Sequence, residues 1–180
     1  ILSCQKGKES SFKQLYNLYK NYCYTICLRY GVEESYIKDC LQEIFSEAFM
    51  NIKKYDANIS KFKTWLTGIT INKILMHKRR NSYINYDFDI EIKEDLMNTD
   101  HYHIESNIDF KKLIFIIQKM PEKYRVIFNL NIIDGFTHKE IAEQLDISVS
   151  SSRVILHRGR EWAMNEILKL QSEPFELSKK

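Results

Sequence analysis

The sequence predicts an all-α protein: two small helical domains joined by a flexible acidic linker. Three observations carry this. Only 5 Gly and 2 Pro punctuate 180 residues, so long helices with short connections are expected. Apolar residues recur at helical spacing through residues 1–80 and again from Phe110, and a 44% hydrophobic content suffices for a core in each lobe. The net charge of +3 is unevenly spread. Residues 1–80 hold 14 Lys/Arg against 7 Asp/Glu, residues 81–109 one Lys against 8 acids, and residues 110–180 12 against 9. Two basic lobes around an acidic connector suggest two nucleic-acid-facing surfaces.

The first long helix is expected from Ser10 to Tyr30. Phe12, Leu15, Tyr16, Leu18, Tyr19, Tyr22, Cys23, Ile26, Cys27 and Tyr30 form a broad stripe whose tyrosines can bury a ring and keep a hydroxyl at the rim. Gly31 stops it. The four cysteines, Cys4, Cys23, Cys27 and Cys40, all lie in the first 40 residues; Cys23 and Cys27 sit four apart beside Tyr24 and Ile26, but no matching His/Cys pair stands at zinc spacing. Buried free thiols are the expectation, with no metal and no cofactor. Glu33 to Lys53 is a second amphipathic helix. Ile37, Leu41, Ile44, Phe45, Ala48, Phe49 and Ile52 face inward, and Asp39, Gln42, Glu43 and Glu47 outward. Those acids form either a solvated face or a docking surface for a basic partner.

Tyr55 to Ser60 reads as a loop, and Lys61 to Arg80 as a third helix. Trp65, Leu66, Ile69, Ile74 and Leu75 are expected inside it. Lys61, Lys63, Asn72, Lys73, His77, Lys78, Arg79 and Arg80 leave a basic, amide-bearing surface. Aromatics beside a cationic groove suit single-stranded DNA, where bases flip or stack and Lys/Arg hold the backbone. A plainer reading makes Phe62 and Trp65 core, and HKRR a complement to the helix dipole.

Residues 81–109 alternate acids with aliphatics in YDFDIEIKEDL. A short strand is possible there, but an acidic linker is the simpler assignment. Phe110 to Met120 is a short apolar helix, and Pro121 opens another, PEKYRVIFNLNIID, closed by Gly135. Thr137 to Arg160 then reads as a helix-turn-helix. Thr137 and Glu140 make a capping box, while Ile141, Ala142 and Leu145 line one face. Asp146 and Ile147 break the pattern, and Ser148 caps a second helix bearing Arg153, His157, Arg158 and Arg160. Capped helix pairs also occur far from DNA. The hydroxyls and cation of SVSSSR, where a structural helix would prefer Glu or Ala, favour a recognition helix. That helix continues through Trp162, Met164, Ile167 and Leu168, with a frayed tail from Ser172.

No apolar run is long enough to span a membrane and no signal peptide is visible; reduced thiols and DNA-binding character point to the cytoplasm. The chain opens on Ile1 rather than Met, so a few residues are expected ahead of it. No nucleophile–base pairing, phosphate-binding Gly loop or metal cluster argues for an enzyme. Asp39 and Glu43 share a helix face as two metal ligands would, but no third carboxylate joins them.

Both lobes resemble one family, the small extracytoplasmic-function (ECF) sigma factors, the dissociable promoter-recognition subunits of bacterial RNA polymerase. The resemblance covers about residues 6–80 and 110–168. SFKQLYNLY resembles the family's opening helix, and DCLQEIFSEAF its D-x-x-Q-E-x-F polymerase-binding stretch. FKTWLTGITINKILMHKRR resembles the helix that engages the −10 element, and MPEKYRVIFNLNIIDGFTHKEIAEQLDISVSSSRVILHRGR the domain that reads the −35 element.

The resemblance implies roles residue by residue. Asp39, Gln42, Glu43 and Phe45 would dock on the coiled coil of the largest polymerase subunit, with Glu47 and Phe49 at the margin. The loop Tyr55 to Lys61 would hold a flipped −10 base. Lys63, Trp65, Asn72, Lys73 and Met76 would lie near the melted strand, and Arg79 and Arg80 on phosphates. Arg153, Val154, His157 and Arg158 would face the −35 major groove, with Thr137, Ser150 and Ser151 on backbone phosphates. The linker would thread through the polymerase near the path of nascent RNA.

The implied domains are residues 1–80, the linker 81–109, residues 110–171, and a tail 172–180; the implied partners are core RNA polymerase, promoter DNA and an anti-sigma factor. Departures from the family pattern are Ser150, Ser151 and Ser152 where a G-T-V or G-T-S run is usual, Ile155 at a commonly polar position, and Gly68 inside the third helix. Ser152 takes a buried position, where its hydroxyl is expected to bond back to a preceding carbonyl. The expected function is promoter-specific transcription initiation. The alternative is a stand-alone helix-turn-helix regulator with a helical sensor domain, which leaves DCLQEIF and KFKTWL without purpose.

Overall fold

The computed structural model describes residues 1–81 and 110–172, and every regular element among them is helical. The linker assigned to 81–109 lies outside the described residues beyond Asn81, as does the tail after Ser172. The chain divides into two compact units, Ile1–Asn85 and Tyr86–Lys180.

The first unit comprises α1 (Leu2–Gln5), α2 (Glu9–Arg29), α3 (Glu34–Asn51) with a 3-10 turn at Ile52–Lys54, and α4 (Phe62–Asn81). The three long helices pack on one another, and α1 lies against α2 and the 3-10 turn. Gly31 ends α2 at φ +68. Its N–H donates to the Leu28 carbonyl and that of Val32 to the Cys27 carbonyl, both at 3.0 Å, so two terminal carbonyls are satisfied. Ile26, Ile37, Ile44, Leu66, Ile71 and Ile74 fill the core with the ring of Tyr30. Thr70 and Ile71, absent from the expected inner face of α4, are fully buried, whereas Leu18 is 70% exposed.

All four cysteines are free and buried. The Cys27 thiol donates to Cys40 Sγ at 3.9 Å, and Thr70 Oγ1 donates to Cys23 Sγ at 3.6 Å. Burial pushes the Cys23 thiol up to about 11, so it packs as a neutral apolar group.

The second unit comprises α5 (Phe110–Lys119), α6 (Glu122–Phe128) running into a π-helical turn at Asn129–Ile133, α7 (His138–Leu145) and α8 (Val149–Ser172). The sequence PEKYRVIFNLNIID reads as one regular helix, but it widens at Asn129. This amide is fully buried and donates from Nδ2 to the Arg125 carbonyl at 2.8 Å. A buried polar side chain that turns back on its own backbone disturbs the regular ladder, and the Asp134 N–H closes on the Asn129 carbonyl five residues back.

Helices α6 and α7 both pack on α8. At the α6–α8 crossing a Cβ on Gly159 would lie 3.3 Å from Tyr124 Cβ, so the missing side chain sets the approach. Arg125 Nη1 donates to the Gln118 carbonyl at 2.7 Å and ties α5 to α6.

Candidate nucleic-acid interface

The helix-turn-helix is capped twice. Thr137 Oγ1 accepts from the Glu140 N–H at 3.3 Å, and Glu140 Oε2 accepts from the Thr137 N–H at 2.8 Å. The Thr137 N–H, and the Thr137 hydroxyl donating to the same oxygen at 2.7 Å, hold the Glu140 carboxyl below its ordinary range. Asp146 turns the chain at φ 56, and the Ile147 N–H closes on the Ala142 carbonyl. Ser148 Oγ then accepts from the Ser151 N–H at 2.9 Å and caps α8. The hydroxyls of Ser150 and Ser151, assigned to phosphates, each lie 2.8 Å from Ser148 Oγ. They form a rotatable cluster at the helix start, where amides and dipole favour an anion.

Along α8, Ile155, Leu156 and Gly159 are buried, while Arg153 and Arg160 are exposed and Val154, His157 and Arg158 half-buried. Arg153, His157 and Arg160 fall at i, i+4 and i+7, so they share a face. His157 Nδ1 lies 3.6 Å from Glu161 Oε2.

Ser152 is fully buried, and its hydroxyl does not follow the expected back-bond. It pairs with His138 Nδ1 at 2.9 Å and ties the first turn of α7 to α8. Burial, then Arg153 and Arg160, hold the His138 imidazole below its ordinary range. His138 escaped the sequence reading because its partner lies 14 residues on. The only signal was a hydroxyl at a position that should be apolar.

On α3, Asp39, Gln42 and Glu43 are exposed and Glu47 half-buried. Phe45 departs from this face. It is 3% exposed, with Tyr16 and Phe49 ring centroids at 4.8 and 5.8 Å. Two residues beyond Glu43 it points to the other side of the helix, so it packs beneath the acidic face. Phe49 is half-buried against Phe12 at 4.8 Å. Glu43 Oε1 accepts from the Tyr36 hydroxyl at 3.0 Å, and the Tyr36 ring stacks on His77 at 3.7 Å. Glu47 Oε2 pairs with Lys73 Nζ at 3.3 Å, so the acidic face of α3 adjoins the basic face of α4.

On α4 and its preceding loop, Lys61, Asn72, Met76, Arg79 and Arg80 are exposed and Trp65 half-buried, and their spacing places them on one stripe. Lys73 flanks it toward Glu47. Lys63 is out of phase and sits over the Tyr22 ring at 4.3 Å. Tyr55, assigned with its loop to a flipped −10 base, turns its ring inward. It is 8% exposed, with Phe62 and Trp65 rings at 5.4 and 5.5 Å, and its hydroxyl donates to the Ser60 carbonyl at 2.9 Å.

Among the described residues no group of three or more His, Cys, Asp or Glu could hold a metal ion, and no helix is long and apolar enough to cross a membrane.

Comparison with known proteins covers both units. The family model for Sigma-70 region 2 matches residues 15–83 and that for Sigma-70, region 4 matches residues 110–162. The ECF RNA polymerase sigma factor SigW of Bacillus subtilis is 31% identical over 172 residues, covering 89% of this chain and 91% of its own. The ECF RNA polymerase sigma-E factor of Haemophilus influenzae is 28% identical over 176 residues, covering 91% and 90%. Among solved structures, the sigma factor RpoE in complex with the anti-sigma factor NepR from Bartonella quintana superposes with a TM-score of 0.53 at 18% identity, covering 89% of this chain and 98% of that one. CnrH in complex with the cytosolic domain of CnrY gives 0.51 at 20% identity, covering 94% and 95%. With a relative 31% identical over 91% of its length and both halves matched in order, this chain belongs to the ECF sigma factors of RNA polymerase.

Proposed function

We infer that this protein is a transcription initiation factor that directs RNA polymerase to specific promoters. One observation carries the reading. An acidic α3 face and a basic α4 stripe share one unit, in the same chain as a helix-turn-helix with Arg153 on its open side. Residues 1–80 dock on bacterial core polymerase through Asp39, Gln42 and Glu43, with Glu47 and Phe49 at the margin. The same unit holds melted −10 DNA along Lys61, Trp65, Asn72, Met76, Arg79 and Arg80, with Lys63 and Lys73 flanking. Residues 110–171 place Arg153, Val154, His157 and Arg158 in the −35 major groove, and Thr137, Ser150 and Ser151 on phosphates. The acidic segment 81–109 joins them. The polymerase supplies the catalysis, and the factor works in the cytoplasm where polymerase and DNA meet. The likeness to a sigma factor solved with an anti-sigma factor supports a regulatory partner of that kind.

The test is capture of purified bacterial core RNA polymerase by the full chain, followed by run-off transcription on genomic fragments. Association with promoter-selective transcripts is expected, and the transcripts deliver both promoter elements. A folded chain that ignores polymerase yet binds duplex DNA would instead be a stand-alone regulator.

A further inference from the structure

Gln5 lies ahead of the matched region 2 segment, yet it reaches across the unit to the loop before α4. Its Nε2 donates to the Ile52 carbonyl at 3.1 Å and to the Tyr55 carbonyl at 3.0 Å. Both amide protons are thereby used, and a flipped amide would set its oxygen against two carbonyls. Helix α1 is itself held by Cys4, which is 1% exposed.

The loop that follows is pinned at its far end by the Tyr55 hydroxyl on the Ser60 carbonyl. Between the two anchors Asp56 Oδ1 accepts from the Asn58 N–H and Nδ2 at 2.8 and 3.0 Å, and Ile59 stands 84% exposed. One side of the loop faces α1 across a groove of about 860 Å³, bounded by Leu2, Ser3 and Gln5 and by the stretch from Lys53 to Asn58.

From this geometry we propose that Gln5 is a positioning residue for −10 recognition. It fixes the start of the loop, so that the segment Asp56–Ile59 meets an unpaired base in one conformation. The inference rests on the reading of that loop as the base-holding element. Losing the amide leaves two carbonyls at a groove open to water, which can hydrate them. The fold therefore survives, and the loop loses its fixed start.

The experiment uses holoenzyme assembled from the full chain and bacterial core polymerase, with bubble duplexes whose unpaired −10 segment is randomised, and sequences the retained DNA. The loop's position is identified as the one whose base preference Asn58→Ala flattens. Gln5→Met is expected to lower the preference at that same position by about five- to tenfold, with preferences elsewhere and total retention unchanged. Gln5→Lys, which restores donors at similar reach, recovers it. Wild-type preference in Gln5→Met overturns the proposal. A uniform loss at every position, together with retention, overturns it too, by assigning Gln5 to the fold alone. If Asn58→Ala flattens no position, the base-holding reading of the loop fails first and the role of Gln5 falls with it.

Discussion

Arg153 stands exposed on α8 above Ile155 and Leu156, which belong to the core. Its truncation therefore leaves the core packing of α8 in place. Arg153→Ala is expected to weaken binding to the −35 duplex by about 1–3 kcal/mol if it reaches a base edge, with an unchanged melting temperature. Fluorescence anisotropy on matched and mismatched duplexes checks this, and equal affinity with equal preference would strike Arg153 from the interface. His138 adds a pH dependence. Its imidazole is held below the ordinary range, so the unfolded chain takes up the proton first as pH falls. The stabilising contribution is present above about pH 6.5 and is lost as pH drops below it. His77 shifts the same way through burial, so the informative comparison is wild type against His138→Asn. Melting between about pH 5 and 7.5 should show a shallower slope in the variant, and identical slopes would sink the assignment. At this scale the sequence located charge well and depth poorly. The acids of α3 and the cations of α4 and α8 stand near the surface as their polarity demands, whereas Tyr55 carries a resemblance-derived surface role and is buried, and Phe45, given such a role too, is buried as its helical spacing predicts. Motif position names a residue without saying which way its side chain turns.

Among the elements, two glycines separate packing from propensity. Gly68 lies within α4 with nothing within 4 Å of where a Cβ would stand, so Gly68→Ala should stabilise by roughly 1 kcal/mol through helix propensity. Gly159 enjoys the same propensity gain, but its Cβ would meet Tyr124 Cβ at 3.3 Å, with the Tyr124 carbonyl oxygen at 3.7 Å behind it. A Cβ and backbone fixed in α6 cannot swing aside, so overpacking of about 1–3 kcal/mol outweighs the gain. Thermal unfolding of Gly68→Ala and Gly159→Ala should move in opposite directions. A stabilised Gly159→Ala would mean that α6 yields at this crossing. Helix existence was legible because the apolar period and the stop signals at Gly31 and Gly135 agree. The π-helical turn was not legible. Asn129 reads as a surface residue, and only its burial under tertiary packing makes it seek the Arg125 carbonyl. Leu18 errs in the other direction: the predicted stripe on α2 was wider than the neighbours available to cover it.

For the molecule as a whole, the proposed function turns the charge segregation visible along the chain into a division of labour, with acids toward a protein partner and cations toward DNA. Within the first unit the two meet at the Glu47–Lys73 pair, whose partly exposed side chains hold each other only weakly. Because Asp39 and Glu43 lie on the outer face of α3 while Phe45 lies beneath it, surface and support can be tested apart. Asp39→Asn combined with Glu43→Gln keeps shape and removes charge. It is expected to weaken association with core polymerase by several-fold, more at low salt than at high, without lowering the melting temperature. Phe45→Ala should instead cost about 3–5 kcal/mol of stability by emptying the core beside Tyr16 and Phe49, and polymerase association would fall only as the folded fraction falls. The −35 duplex supplies the internal control, since its affinity, assigned to α8 in the proposed function, should be unmoved by the double charge variant. Salt-independent loss in that variant would indicate an apolar docking surface, and full retention would move the polymerase contact off α3 altogether.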